Sequence, residues 1–242
     1  CGLASGGSGG AAGVSWLEVP GFGTPADGND DYEILVYDPP SRDPSQPAPL
    51  IWLIGRRMPY DRAANEDIAL DGLGWRAEAD AGGFLFALVL PGDPSGNQQL
   101  DWTDSATDQA FFDASLDLLA GGWNIDLDRV HIFGASAGGR AALMLGYLHA
   151  ERLASLANQA GSNPYQGAWP STPWAGDIPA LFIHDPDDPI VPREAVQDGV
   201  DMWEAAGQRA DLWFDYPYGH EYRGDVMNPR MLEFFATTCN ER

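Results

Sequence analysis

The sequence contains no lysine. All 13 of its basic residues are arginine, set against 36 acidic residues, and the formal net charge is −23. Without lysine there is no phosphate-gripping ammonium and no Schiff-base nucleophile. P-loop NTPases, protein kinases and lysine Schiff-base enzymes are therefore excluded. The shortage of positive charge also argues against nucleic acid or an anionic lipid surface as the main partner. So large an acidic excess serves solubility first. Cysteine is scarce too, with only Cys1 and Cys239. No apolar run approaches the length that spans a bilayer. What is plentiful is core-forming material: 44% of 242 residues are hydrophobic, enough for one sizeable domain and too many for a disordered chain.

Residues 1–13 form a Gly/Ser/Ala tether with little to bury, and residues 14–242 carry the folded domain. A cysteine followed by such a tether resembles a bacterial lipoprotein after signal-peptide cleavage. That resemblance implies a diacylglycerol on Cys1, a secreted or cell-envelope location, and membrane attachment through the lipid alone. A Cys1–Cys239 disulfide and an arbitrary chain boundary are the alternatives.

Two partly alternating segments, residues 14–19 and 32–37, predict an antiparallel pair at a sheet edge. Residues 49–55 and 83–90 are apolar on both faces and predict buried strands. Further strands are expected over 129–133, within 153–160, and at 180–184 and 211–216. Between them, helices are expected over 61–81 (interrupted near Gly72 and Gly74), 104–119, 138–153, 192–207 and 229–237. Strands alternating with helices predict an α/β fold: a mostly parallel sheet with an antiparallel N-terminal edge and helices on both faces.

At the centre stands Arg129-Val130-His131-Ile132-Phe133-Gly134-Ala135-Ser136-Ala137-Gly138-Gly139-Arg140. An apolar strand runs into a glycine-flanked serine and then a helix. Gly134-Ala135-Ser136-Ala137-Gly138 fits the G-x-S-x-G elbow, in which a strained turn lifts a hydroxyl above a parallel sheet. Such a serine needs a base. Of four histidines, His131 lies inside the strand and His149 about three turns along the following helix, too far to serve. His184 ends an apolar strand. His220 follows the last strand in a loop at the carboxyl end of the sheet, where open α/β sheets bind ligands. The run after His184 holds Asp185, Asp187 and Asp188. Three carboxylates facing one pocket would repel, so most are expected to point to solvent. Metal binding by that cluster is the lesser reading, because the adjacent prolines restrict convergence.

These residues resemble the α/β-hydrolase fold, in particular the secreted esterases related to polyhydroxybutyrate depolymerases and feruloyl esterases. The likeness rests on Arg129 to Gly139, on the run His184 to Pro192, and on Gly219-His220, and covers about Pro49 to Phe235. Those esterases carry a strand-end His-Gly-x-x-Asp-x-x-Val-Pro run whose aspartate is the triad acid, and a Gly-His pair carrying the base. The resemblance implies a triad of Ser136, Asp188 and His220, with Asp187 the competitor for the acid. It also implies cleavage of carboxylic esters through an acyl-serine, with no cofactor and no metal. Backbone N–H groups of Ala137 and Arg56 would form the oxyanion hole. Ile54 and Arg56-Arg57 depart from the histidine and small residues common at these places, which opens the question of substrate. The favoured reading of the two arginines is a solvated pair balancing local acids, with Arg57 the candidate if an anionic group is recognised. Trp102, Trp169 and Trp174, with Tyr165, could line an open cleft for a bulky or polymeric ester, or simply cover the sheet. The segment from Gly161 to Ile178 is too short and proline-rich for a large helical lid. A peptidase or amidase on the same fold, and a surface binding protein without activity, are the rival readings.

Overall fold

Eight strands form where the apolar runs place them, and their pairing order decides what meets at the sheet's end. The computed structural model describes residues 12–22, 33–55, 62–90, 102, 105–165 and 176–240. The strands are β1 (Gly13–Glu18), β2 (Glu33–Asp38), β3 (Ala48–Ile54), β4 (Leu85–Leu90), β5 (Ile125–Ala135), β6 (Ser155–Gln159), β7 (Ala180–Ile183) and β8 (Ala210–Trp213). The sheet order is β1-β2-β4-β3-β5-β6-β7-β8. The chain divides into two compact units, Gly2–Leu127 and Asp128–Arg242, and β5 runs through the boundary.

In the first unit β1 and β2 pair antiparallel, β2 and β4 pair antiparallel, and β3 lies parallel to β4. The expected N-terminal edge is therefore present. Its helical segment opens with α1 (Arg62–Glu66), runs on as a π-helical turn over Asp67–Gly72, and resumes as α2 (Trp75–Gly82). The interruption falls where Gly72 and Gly74 predict it. The helix α3 (Ala106–Gly122) is capped by Ser105, whose Oγ accepts from the Asp108 N–H at 3.1 Å. The register puts Trp52 beside Ala87 and Ile51 beside Phe86, so Trp52 and Phe86 point to opposite faces. Trp52 stacks on Phe112 of α3 and Phe86 on Trp75 of α2, with all four rings fully buried. One helix thus covers each face.

The second unit is wholly parallel: β5, β6, β7 and β8 pair in order. Its helices are α4 (Ala137–Leu148), α5 (Arg193–Ala205) and α6 (Gly224–Ala236). Leu156 packs against Gly146 of α4, while its neighbour Ser155 accepts from the Thr238 hydroxyl just beyond α6. Adjacent strand residues face opposite ways, so α4 and α6 lie on opposite faces here too. Several expected boundaries move: β5 is longer than expected (Ile125–Ala135), β8 ends at Trp213 rather than Tyr216, and two helix ends shift further. The helix after the elbow ends at Leu148 rather than Leu153. His149 leaves helical geometry, a short 3₁₀ turn follows over Ala150–Arg152, and the Ala154 N–H joins Val130 O at 2.8 Å. The last helix opens at Gly224, five residues before Pro229, which sits inside it. A proline forfeits one helical hydrogen bond, and burial of Met227, Met231 and Phe234 along one side outweighs that loss. Among the described residues, no helix is long and apolar enough to cross a membrane.

Candidate active site

The register of the parallel strands lines up Ala135, Gln159, Ile183 and Trp213 in one row. The chain leaves the sheet just beyond that row, and the segments after β5, β7 and β8 carry Ser136, Asp188 and His220. All three belong to the unit Asp128–Arg242 and stand at one end of the sheet.

Ser136 is the hinge between β5 and α4, and its backbone is held at φ 53° and ψ −118°. This is the left-handed side of the map, which a serine enters only under constraint. Two constraints are visible. The Ser136 N–H donates to Gln159 O on β6 at 2.8 Å, and the Arg140 N–H returns to Ser136 O at 3.0 Å. The turn is so tight that a Cβ on Gly134 would meet the carbonyl carbon and oxygen of Gly138 at 2.2 Å. The small residues of G-x-S-x-G are thus demanded by strand and helix crossing within touching distance. Ser136 and Ala137 remain half-buried, and the Ala137 N–H precedes the first hydrogen bond of α4.

His220 Nδ1 donates to Asp188 Oδ2 at 2.7 Å. The Asp188 side chain has no solvent exposure, and its other oxygen accepts from the N–H groups of Ile190 (2.7 Å) and Val191 (3.0 Å). Burial pushes this carboxyl upward. The hydrogen bonds from Val191, His220 and Ile190 outweigh burial and hold it below the usual carboxylate range. An ionised carboxylate only accepts, so the Nδ1 proton resides on His220 and Nε2 is left as the basic nitrogen. The His220 side chain is 18% exposed, open enough to meet a ligand. No hydrogen bond links Ser136 to either residue among the described residues; catalytic hydrogen bonds of free enzymes commonly close only with substrate.

The other histidines are accounted for by packing. His131 is 2% exposed, stacks on Phe235 and shares a 2.8 Å hydrogen bond with Ser155 Oγ. Burial, with a smaller contribution from Arg129, pulls its pKa down to about 3. His184 is fully buried against the Phe214 ring, and burial lowers its pKa despite Asp188 and Asp185 nearby. His149 is the buried residue closing α4.

Of the three aspartates, Asp187 is exposed as expected. Asp185 is not: it is 8% exposed, and its carboxylate accepts from the Asp187 N–H at 2.8 Å and the Gly219 N–H at 2.5 Å. A second residue missed in the sequence is Tyr216. Its buried phenol donates to Glu221 O at 2.6 Å and accepts from the Arg223 N–H at 3.0 Å, tying together the loop that carries His220. Burial raises its pKa to about 12, so it stays a neutral donor. The signal for it was the aromatic density of Tyr216-Pro217-Tyr218 around one histidine, and only the fold shows which ring turns inward.

Trp102 is 6% exposed, donates through Nε1 to Gly55 O at 3.1 Å, and stacks on Phe111. Arg56, Arg57, Trp169, Trp174 and Cys1 lie outside the described residues. Cys239 is disulfide-bonded.

No family model matches the sequence. Over 127 residues, half of this chain, it is 34% identical to NocK of Nocardia uniformis subsp. tsuyamanensis, a protein whose name proposes an esterase; the matched chain spans only about a third (36%) of that protein's length. Among solved structures, a thermostable esterase superimposes with a TM-score of 0.68 at 16% identity, over 93% of this chain and 62% of that one. Porphyromonas gingivalis dipeptidyl peptidase 4 gives 0.65 at 12% identity, over 93% of this chain and 35% of that one. A ferulic acid esterase from Anaeromyces mucronatus gives 0.62 at 13% identity, over 94% and 90%. Strand order, elbow and these likenesses define an α/β-hydrolase fold.

Proposed function

We propose that this protein is a serine hydrolase that cleaves carboxylic esters, with Ser136 as nucleophile, His220 as general base and acid, and Asp188 as the acid that orients it. The observation that carries the reading is the Asp188–His220 hydrogen bond at 2.7 Å, made at the sheet end that also bears the strained Ser136 elbow. Serine is inert until a base takes its proton. With Nδ1 committed to Asp188, Nε2 of His220 accepts that proton as Ser136 Oγ attacks the ester carbonyl, and Asp188 stabilises the imidazolium. The Ala137 N–H supplies one oxyanion donor at the start of α4, where the helix dipole adds to it. The second donor, which the family resemblance gives to the backbone of Arg56, lies outside the described residues. His220 then gives the proton to the leaving alkoxide, and water repeats the cycle to free the acid from Ser136.

Esters rather than amides are favoured by the names of the relatives, two of three solved structures among them, and by the 34% identity to NocK. The peptidase reading is carried by the likeness to dipeptidyl peptidase 4, of which this chain covers only 35%. Short-chain nitrophenyl esters decide. Wild type should hydrolyse them, and Ser136→Ala and His220→Ala should each lose about 10³-fold or more in kcat. A fluorophosphonate should add its mass to the Ser136 peptide. Retained turnover in Ser136→Ala would overturn the assignment.

A further inference from the structure

The run that carries the triad acid departs from the pattern it resembles at one position: Asp185 stands where the resembled esterases have glycine. That change places a second buried carboxylate three residues ahead of Asp188. The two are held in one turn, closed by the Asp188 N–H donating to Asp185 O at 3.0 Å and the Asp187 N–H to Asp185 Oδ1 at 2.8 Å. From this turn both carboxylates reach the loop after β8, and they reach consecutive residues. Asp185 Oδ2 takes the Gly219 N–H at 2.5 Å, and Asp188 Oδ2 takes the His220 side chain at 2.7 Å.

From this geometry, and resting on the triad reading above, we infer that Asp185 is a positioning residue for the reaction: it clamps the backbone immediately before His220 so that the imidazole meets Asp188. Gly219 lies at φ 59°, a conformation that glycine adopts freely and leaves just as freely. Nothing in the residue itself holds that angle. The carboxylate of Asp185 does, because a charge-assisted bond from an N–H to an anion is about twice as strong as a neutral one. Pro189, between the two acids and the exposed Ile190, packs its Cδ 3.7 Å from the Cβ position of Gly219 and closes the gap between the loops. Without Asp185 the Gly219 N–H loses its acceptor, the peptide is free to rotate, and His220 swings on a loosened pivot. Tyr216 braces the same loop through Glu221 and Arg223, and its hydroxyl makes no hydrogen bond to Gly219 or His220 among the described residues. The acceptor for Gly219 is therefore supplied by Asp185 alone among the described residues.

The test separates positioning from bulk stability. Asp185→Ala should lower kcat for nitrophenyl esters by about 10²-fold, the cost of a misplacement near 1 Å, with KM little changed. Asp185→Asn keeps an oxygen acceptor without the charge and should fall between, about five-fold below wild type. The NMR resonance of the His220 Nδ1 proton, far downfield when it bonds to Asp188, should broaden or vanish in Asp185→Ala and persist, shifted, in Asp185→Asn. All measurements are made well below each variant's Tm. A role confined to stability would lower Tm and leave kcat and that resonance alone. Wild-type kcat in a folded Asp185→Ala overturns the inference. Should that variant not fold, an Asp185→Asn with unchanged kcat and an unshifted resonance overturns it equally. Ser136→Ala and His220→Ala run in parallel keep the two claims apart. If they abolish turnover while a folded Asp185→Ala keeps wild-type kcat, the clamp fails and the triad stands; if they retain turnover, the triad itself fails.

Discussion

At His131 a strand residue of ionisable type has been turned into core. Its ring is pressed against Phe235, its Nδ1 is satisfied by Ser155, and its pKa is lowered to about 3, first by burial and then by Arg129. The native state therefore holds this histidine neutral across the range in which the unfolded chain, near pH 6.5, takes up a proton. Its contribution is complete above the unfolded pKa and is lost as pH falls from about 6.5 toward about 3. Between pH 7.5 and 5.5 that loss should be about 1.4 kcal/mol. Urea unfolding of wild type and His131→Asn at both pH values checks it: the variant, less stable at pH 7.5, should lose less on acidification. Equal losses would mean that other groups carry the acid sensitivity. The sequence marks His131 as a strand residue unfit to be the base. Its ring partner, 104 positions away, comes from α6.

Among the elements, the first unit depends on a buried ion pair at the end of β2. Arg42 grips Asp38 through Nε and Nη2, each at 2.7 Å, with side chains 3% and 4% exposed. Removing one partner strands a buried charge. Arg42→Ala should therefore cost about 3 kcal/mol or more, while the double change Arg42→Met with Asp38→Asn should cost clearly less. Denaturant midpoints for the set test this, and equal losses would show that the packing of the arginine stem, rather than the charge, is what matters. The strands were legible because β-sheet periodicity and apolar runs are local. Helix ends were less so: Pro229 reads as a first-turn proline, yet the apolar side of α6 extends the helix upstream of it. The 3₁₀ turn after α4 likewise follows from where β6 must enter the sheet, a demand made by Val130 on a neighbouring strand.

For the molecule as a whole, 36 acids and 13 arginines leave a net charge of −23 on 242 residues. Several of those arginines are spent in local pairs such as Arg62–Glu33, Arg76–Asp71 and Arg209–Asp211. The remaining acidic surface repels itself, which destabilises a compact state at low ionic strength. Raising NaCl from 0.02 to 0.5 M shortens the screening length several-fold and should raise Tm by about 3 °C or more. A Tm that falls with salt would show instead that the pairs outweigh the repulsion. Read by itself, the sequence determined the fold class, the elbow at Ser136 and the two loops that carry His220 and its candidate acids, Asp188 being singled out from Asp187 there only by the family resemblance. Each is written in contiguous residues, because a strand-turn-helix and a strand-end loop are short-range objects. What the tertiary structure alone decided is how the loops after β7 and β8 grip each other: Asp185 buried on the Gly219 N–H, and Tyr216 tied to Glu221 and Arg223. Those contacts join or orient segments by three-dimensional approach across parallel strands, and no periodicity within either segment records which carboxylate or which ring will turn inward.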